Sequence, residues 1–379
     1  MRAVTLVPAA LALGTLGCGF RASASDPGSI ADIPIDAGIE IDSAPLDGSM
    51  PPACAGTLVR VCVDPPTAER TLTAQTINTS SSTLCAPYTA TPVSDLCVIA
   101  GTSISISGDL IVTGGRRLVL FSTSATGQLA ISGKINAASQ RGGNTGPAAN
   151  TAACRNAHGA SNGGVFSFQG GGGYGGSFGA LGGNGGKPVG YGGGGTPAEL
   201  PAALTFTGGC AGGDGANDSF GSGRGSRGNS GGAIMLLAAS SISISGAVDA
   251  SGAGGNGAQA AAGGGGGGSG GLIVLEAPTV TVSGNVLANG GAGGEGASNS
   301  SGKAGADATK PDSAASGGAG SSKGGGDGGD GGFGAPAAVA GKPGSAQPSR
   351  DGGGGGGGGG VGIIKVYAAS QTGLDDRKH

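Results

Sequence analysis

Side chains that could do catalytic chemistry are few in this chain. It has two histidines, His158 and His379, and no tryptophan among 379 residues. A Ser–His–Asp or Cys–His arrangement would have to use His158, and no nucleophile elbow accompanies it. The carboxylates of Asp249 and Glu276 stand isolated in otherwise uncharged stretches. We therefore predict a protein that is not an enzyme, with no catalytic residues, no cofactor and no metal site.

Glycine-rich tracts imitate ligand motifs without completing them. Matches to phosphate-cradling loops lack the following Lys-Ser/Thr pair and a helix. The segments Gly212–Gly215 and Gly328–Gly331 resemble calcium-binding nonapeptide repeats but lack the recurring Asp-x-apolar spacing. A net charge of -3 argues against nucleic acid as a partner.

The number of cysteines is typical of an exported protein. One of the seven, Cys18, lies near the N-terminus, and the even number that remains predicts three disulfides. These six are Cys54, Cys62, Cys85, Cys97, Cys154 and Cys210. Sequence does not fix their connectivity. The local pairs Cys54–Cys62 and Cys85–Cys97, with Cys154–Cys210 closing a long loop, are the simplest set, and the spacings do not resemble zinc motifs.

Residues 1–17 have the form of a signal peptide. A single positive charge precedes an apolar run that is too short to span a bilayer. The run ends in Thr15-Leu16-Gly17-Cys18, which resembles the bacterial lipobox, with Thr15 where leucine is expected. We expect lipidation of Cys18 and export to the outer membrane or cell surface. An ordinary signal cleaved after Ala22-Ser23-Ala24 is the alternative.

Two short regions precede the main body of the chain. Residues 18–52 are acidic and proline-rich, which predicts an extended tether. Residues 53–100 hold four of the cysteines and form a small N-terminal module, which we expect to cap the open end of the strands that follow.

A repeated block predicts the fold. Ser241-Ile242-Ser243-Ile244-Ser245-Gly246 returns as Thr279-Val280-Thr281-Val282-Ser283-Gly284. Apolar and hydroxyl residues alternate with the period of a strand, and a glycine marks each corner. Related blocks end at Gly108 and Gly133, and another apolar run begins at Ile363. Over residues 101–370 we predict an all-β, parallel β-helix or solenoid-like strand stack, followed by a polar tail at 371–379.

Continuous apolar runs accompany each copy of the block. Ile234–Leu237 and Leu272–Leu275 have no polar alternation, which is typical of strands covered on both faces. These runs match at the same offset as the blocks, or slightly better when slipped by one residue.

Glycine-rich insertions at 142–232, 252–271 and 290–362 interrupt the stack at one corner. They are interpreted either as flexible linkers or as polyglycine II helices with three residues per turn. The second interpretation comes from glycines at every third position. These are Gly170, Gly173, Gly176, Gly179, Gly182 and Gly185, and later Gly325, Gly328, Gly331 and Gly334. Aromatic residues in the first insertion are expected to anchor it against the stack; stacking on nucleic acid or glycan is the alternative.

The combination of Cys97–Gly108, Arg141-Gly142-Gly143 and the Gly-Gly-x-Ile-x-Leu-x-Ala blocks resembles a family of glycine-rich bacterial envelope lipoproteins of uncharacterised function. The resemblance covers nearly everything after Ala53. It implies an exported, β-rich surface protein and supplies no catalytic residue. By architecture alone, the strand stack is similar to adhesin and surface-layer β-solenoids.

We therefore expect a non-catalytic cell-surface lipoprotein with a structural or adhesive role toward matrix, glycan or further copies of itself. Its partners would be the membrane, through the lipid, and extracellular glycan or matrix. The alternative is a carbohydrate-active β-helix enzyme such as a polysaccharide lyase, which would need three ionisable residues converging in one groove. Ice or mineral binding would need regular threonine ladders, of which only Thr279 and Thr281 give a hint.

Overall fold

The computed structural model describes residues 51–150, 154, 157–161, 169–190, 192–334, 337–347 and 351–374. The predicted signal peptide, Cys18 and nearly all of the predicted tether lie outside these residues. Within the described ranges every regular element is a strand, and no helix could cross a membrane. The strands are β1 (Ala53–Ala55), β2 (Arg60–Val63), β3 (Arg70–Leu72), β4 (Gln75–Asn78), β5 (Thr89–Thr91), β6 (Leu96–Gly101), β7 (Ile104–Ile106), β8 (Asp109–Thr113), β9 (Arg117–Ser122), β10 (Gln128–Ile131), β11 (Lys134–Asn136), β12 (Ala233–Ala238), β13 (Ser241–Ile244), β14 (Ala247–Asp249), β15 (Leu272–Glu276), β16 (Thr279–Val282), β17 (Asn285–Leu287), β18 (Ile363–Tyr367) and β19 (Ser370–Thr372).

Sixteen of these strands form three parallel sheets. Sheet 1 has the order β19-β16-β13-β10-β7-β3, sheet 2 the order β17-β14-β11-β8-β4, and sheet 3 the order β18-β15-β12-β9-β6. The chain visits the three sheets in turn, so each circuit adds one strand to each sheet. This confirms the predicted all-β stack of parallel strands, and it is consistent with a β-solenoid-like architecture.

The pairing register explains the imperfect repeat. In sheet 1, Ile242 lies opposite Val280, as the repeated block requires. In sheet 3, Ile234 lies opposite Ile273, one residue beyond the offset of the block. The difference of one residue falls at the corner from sheet 3 to sheet 1. Counted between paired residues, the connection from β12 to β13 is one residue longer than the connection from β15 to β16.

The interior of the stack is filled by the inward half of each alternating strand. Ile242 and Ile244 are buried with Leu236 and Leu275 in one continuous apolar cluster. Full burial of such a side chain stabilises the fold by roughly 1.5–3 kcal/mol. This cluster is the main core of the protein.

Sheet 3 is apolar on its outer face as well. Met235 and Val274 point away from the interior and pack with Val61, Phe178 and Phe206 in a second cluster. The continuous apolar runs are therefore covered on both faces, as their composition predicts. Phe178 and Phe206 anchor the first insertion as expected, whereas Phe220 is 75% exposed, contrary to that expectation. Phe166, Phe168 and Tyr191 lie outside the described residues.

The N-terminal module is divided between two roles. Strands β1, β2 and β5 form a small antiparallel sheet. Val61 and Val63 of β2, with Val59 just before it, contribute to the cluster on the outer face of sheet 3. Strands β3, β4 and β6 belong to the parallel sheets. The stack therefore begins at Arg70, within the predicted N-terminal module at 53–100. Leu84 and Cys85 pack against the main core from the module.

The six cysteines outside the signal region form three pairs at disulfide distance. Their Cα atoms are 4.1 Å apart in Cys54–Cys62, 4.9 Å in Cys85–Cys97 and 5.7 Å in Cys154–Cys210. The first pair joins β1 to β2, and the second attaches the segment before β5 to β6. The third closes a loop inside the first glycine-rich insertion.

All three glycine-rich insertions leave the stack at one corner. They occupy 137–232 between β11 and β12, 250–271 between β14 and β15, and 288–362 between β17 and β18. Each therefore connects sheet 2 to sheet 3 in consecutive circuits. Because consecutive circuits are adjacent, the three insertions emerge side by side.

Candidate functional surfaces

The ionisable side chains that sequence singled out lie in separate contacts. The backbone of His158 pairs with Thr196 in an isolated antiparallel bridge. The carboxylate of Asp249 is nearly buried, lies 3.1 Å from the ammonium of Lys134 and accepts a hydrogen bond from the Ser251 amide. These contacts hold the start of the second insertion against sheet 2.

The carboxylate of Glu276 joins two parts of the fold. It accepts hydrogen bonds from the backbone amide of Thr57 at 2.8 Å and from the Thr57 hydroxyl at 2.9 Å. The pair fixes the small antiparallel sheet to β15. Glu276 and Asp249 thus serve different contacts and do not form one site.

Among the described residues, no group of three or more His, Cys, Asp or Glu side chains could hold a metal ion. A cavity of about 40 Å³ beside Val286, Asn289 and Ile364 has room for only a few water molecules. An open concavity of about 700 Å³ lies along Cys85–Ser94. There the hydroxyl of Tyr88 is already used, since it donates to the Ser94 carbonyl and accepts from the Leu96 amide.

The glycine-rich insertions are joined by a regular network of backbone hydrogen bonds. At its centre is the segment 263–271, here the central glycine segment. Its amides donate in rotation to three different neighbouring segments. Gly264, Gly267 and Gly270 donate to Gly354, Gly357 and Gly360; Gly263, Gly266 and Ser269 donate to Ala216, Gly213 and Cys210; Gly265, Gly268 and Gly271 donate to Asn256, Ala253 and Ala250.

The carbonyl groups of the central glycine segment continue the pattern. They accept from three further segments, at 170–176, 225–231 and 291–297. Six segments therefore surround the central one, and each third residue faces the same neighbour. The tract at 353–360 has the same arrangement, since its amides donate in rotation to 291–297, 170–176 and 339–342.

Close approach of these segments excludes side chains. A Cβ on Gly263, Gly264 or Gly265 would overlap a backbone carbonyl of a different neighbouring segment in each case. The next three glycines face the same three segments in the same order, beginning with Gly266, which faces the carbonyl of Tyr174. Glycine is thus needed at each position from 263 to 268, which explains why this run is unbroken.

Segments at the border of the network need glycine on fewer sides. In the segment 223–231, Gly225, Gly228 and Gly231 face the segment 250–256, and the other positions include Arg224 and Arg227. In the segment 324–332, Gly325, Gly328 and Gly331 face 290–296 in the same way. The period of three in these sequences marks border segments.

The period-three run from Gly170 to Gly185 is divided between two segments. The amide of Gly175 donates to Gly183, and that of Gly172 donates to Gly186, so the chain reverses between them. Gly170, Gly173 and Gly176 belong to one segment, and Gly182 and Gly185 to the antiparallel segment beside it. The period of three continues past the turn because each of the two segments has glycine at every third position.

A buried carboxylate pins the third insertion. Glu295 is fully buried and accepts hydrogen bonds from the backbone amides of Lys303, Ser321 and Ser322 and from the Ser321 hydroxyl. It thereby ties three stretches of the insertion together. This role could not be predicted from the sequence, where Glu295 appears as one charge within a glycine tract.

The outer face of sheet 1 carries hydroxyl groups in columns. We call this surface the hydroxyl face. Two columns follow the strand register, and a third consists of the serines that precede the corner glycines. The columns are Gln128, Ser241, Thr279 and Ser370; Thr71, Ser105, Ala130, Ser243, Thr281 and Thr372; and Ser107, Ser132, Ser245 and Ser283.

All members of these columns are exposed or half-exposed, and none is charged. Only Gln128 and Ala130 lack a hydroxyl group. The Ser105 hydroxyl donates to that of Thr71 at 3.1 Å, along the column and between adjacent strands. The sequence shows the alternation but not the third column, which depends on how the corners stack.

Comparison of the chain with protein-family models, with curated proteins and with solved structures finds no match. The resemblance to envelope lipoproteins therefore stays a prediction, and function has to be inferred from the surfaces described above.

Proposed function

We propose that this protein is a non-catalytic lipoprotein of the bacterial cell surface, with a structural or adhesive role. In this proposal its body is a right-handed, three-sided parallel β-helix. The glycine-rich insertions form a bundle of polyglycine II helices on one corner of it. Lipid on Cys18 and the tether at 18–52 hold the body at the membrane.

The observation that carries the proposal is the network of backbone hydrogen bonds around the central glycine segment. Its residues present amides and carbonyls to six neighbours and almost no side chains. Such a body has a fixed shape but little side-chain chemistry. Shape without reactive groups suits a protein that holds or presents a surface.

Two further features support export. Three cysteine pairs at disulfide distance fit an oxidising compartment. The lipobox-like sequence ending at Cys18 supplies an anchor, because acyl chains contribute about 0.8 kcal/mol for each methylene buried in the bilayer.

Protease treatment of intact cells tests the proposal. The full chain should be digested from outside the cell and should fractionate with membranes, whereas the Cys18→Ala variant should leave the membrane fraction. A chain that is protected in intact cells and digested only after lysis would refute surface exposure. A Cys18→Ala variant that stays in the membrane fraction would refute the lipid anchor.

A further inference from the structure

We propose that the hydroxyl face binds an ordered array of neutral, β-linked polysaccharide chains. This inference names a ligand class for the adhesive role proposed above and rests on that role. The three columns defined earlier form a grid on one side of the stack. Its other sides are occupied differently, since sheet 3 is covered by apolar packing and sheet 2 leads into the insertions.

The dimensions of the grid come from strand geometry. Adjacent strands in a sheet lie about 4.8 Å apart, so hydroxyls repeat at that interval along each column. Columns are two residues apart along the strands, which is about 6.6 Å. The interval along a column is close to the length of one pyranose ring. A ligand that repeats in two directions can therefore contact many members of the grid at once.

The charge of the face selects among polymers. No member of the columns can ionise, so an anionic polysaccharide or nucleic acid would lose its hydration without gaining a cationic partner. Serine and threonine hydroxyls both donate and accept, as sugar hydroxyls do. Each contact is weak, but several columns engaged together give a large total affinity.

The balance of serine over threonine favours polysaccharide over ice. Threonine is stiff at χ1, whereas the serine hydroxyl rotates among rotamers and adapts to its partner. Only Thr279 and Thr281 place two threonines of neighbouring columns in one strand. Gln128 and Ala130 also interrupt both columns in one circuit. A face of this kind fits a partner whose own hydroxyls can turn.

Retention on microcrystalline cellulose tests the proposal with the full chain released from membranes by detergent. The test variant is Ser243→Lys with Thr281→Lys, which places two long cations on adjacent strands of the middle column. The matched control is Ala247→Lys with Asn285→Lys. These residues are in register on the outer face of sheet 2 in the same two circuits.

We expect the unaltered chain and the control to be retained equally, also in 1 M salt, and the test variant to be retained at least tenfold less. Melting curves of both variants report whether each is folded. Absence of retention of the unaltered chain, or equal retention of both variants, would overturn the proposal. Inhibition of ice recrystallisation that only the test variant loses, without retention on cellulose, would assign the face to ice. Either failure would leave the result of cell-surface proteolysis unaffected, so the two proposals are separable.

Discussion

The amide of Gly264 donates to the carbonyl oxygen of Gly354 over 2.9 Å, although the two glycines belong to different insertions. Bonds of this kind link segments that are far apart in sequence into one body. Ordering the backbone costs about 1–2 kcal/mol per residue, and each backbone hydrogen bond returns about 0.5–1.5 kcal/mol. A glycine tract can therefore be ordered only if nearly every amide and carbonyl in it is paired.

Substitution inside the network should show how tightly it is packed. In Gly266→Ala the new Cβ would overlap the carbonyl of Tyr174, so neighbouring segments must move apart. We expect a loss of unfolding free energy of about 1–3 kcal/mol or more, in line with overpacked cores. Thermal or denaturant unfolding measures it.

The matched control is Gly159→Ala. A Cβ at Gly159 has no atom within 4 Å and its φ does not lie in the left-handed region, so this change should be neutral or stabilise by up to about 1 kcal/mol. Equal effects at the two positions would mean that Gly266 is not enclosed.

Two adjacent residues of β13 test the orientation of the strand. Ile242 is buried in the main core, whereas Ser243 faces outward. Ile242→Ala should lower the unfolding free energy by about 2–5 kcal/mol because it leaves a cavity. Ser243→Ala should change it by less than about 0.5 kcal/mol. Reversed effects in denaturant unfolding would show that the strand has the opposite face inward.

The buried carboxylate of Glu295 should be important for the third insertion. Glu295→Ala leaves the amides of Lys303, Ser321 and Ser322 without their acceptor, at about 1–3 kcal/mol for each group that stays buried. We expect faster proteolysis within 298–323, measured by limited digestion and mass spectrometry. Glu69→Ala, at an exposed position, should leave the digestion pattern unchanged. An unaltered pattern for both variants would contradict the role of Glu295.

The surface ion pair between Lys342 and Asp327 should matter little for stability. The Lys342 ammonium donates to Asp327 at 2.9 Å, and this hydrogen bond, with the attraction of the Asp327 charge, raises the pKa of Lys342 above its ordinary value of 10.5. Because Lys342 has the higher pKa in the folded state, the stability that the ion pair contributes is present below the pKa of Lys342 in the unfolded chain. It is lost as pH rises through the folded pKa.

Solvent screens the pair, since both side chains are exposed or half-exposed. We therefore expect Lys342→Met to leave the melting temperature at pH 7 unchanged within error. An NMR titration of the Lys342 side chain should have its midpoint above 10.5. A midpoint at or below that value would show that the pair does not form in solution.

Much of the strand stack can be predicted from sequence because its pattern is local. The alternation around Ile242 and Val280 identifies two strands of sheet 1, and Gly246 and Gly284 identify their corners. The first circuit could not be predicted from sequence because β3 and β4 each point only one apolar side chain inward, Leu72 and Ile77.

The network of glycine segments could be predicted only in part. Periodicity at Gly325, Gly328 and Gly331 indicates an edge that faces a neighbour, but it does not say which neighbour. The unbroken run at 263–268 looks like a linker until six surrounding segments are known. Partners such as Gly264 and Gly354 are set by the stacking of whole circuits, which a local pattern does not encode.

Hydrogen–deuterium exchange tests the central claim most directly. If the glycine-rich insertions form one hydrogen-bonded body, the amides of 263–268 and 353–360 should exchange as slowly as those of β12 and β15. Exchange of these two tracts at the rate of an unfolded chain, while the strands stay protected, would contradict the account.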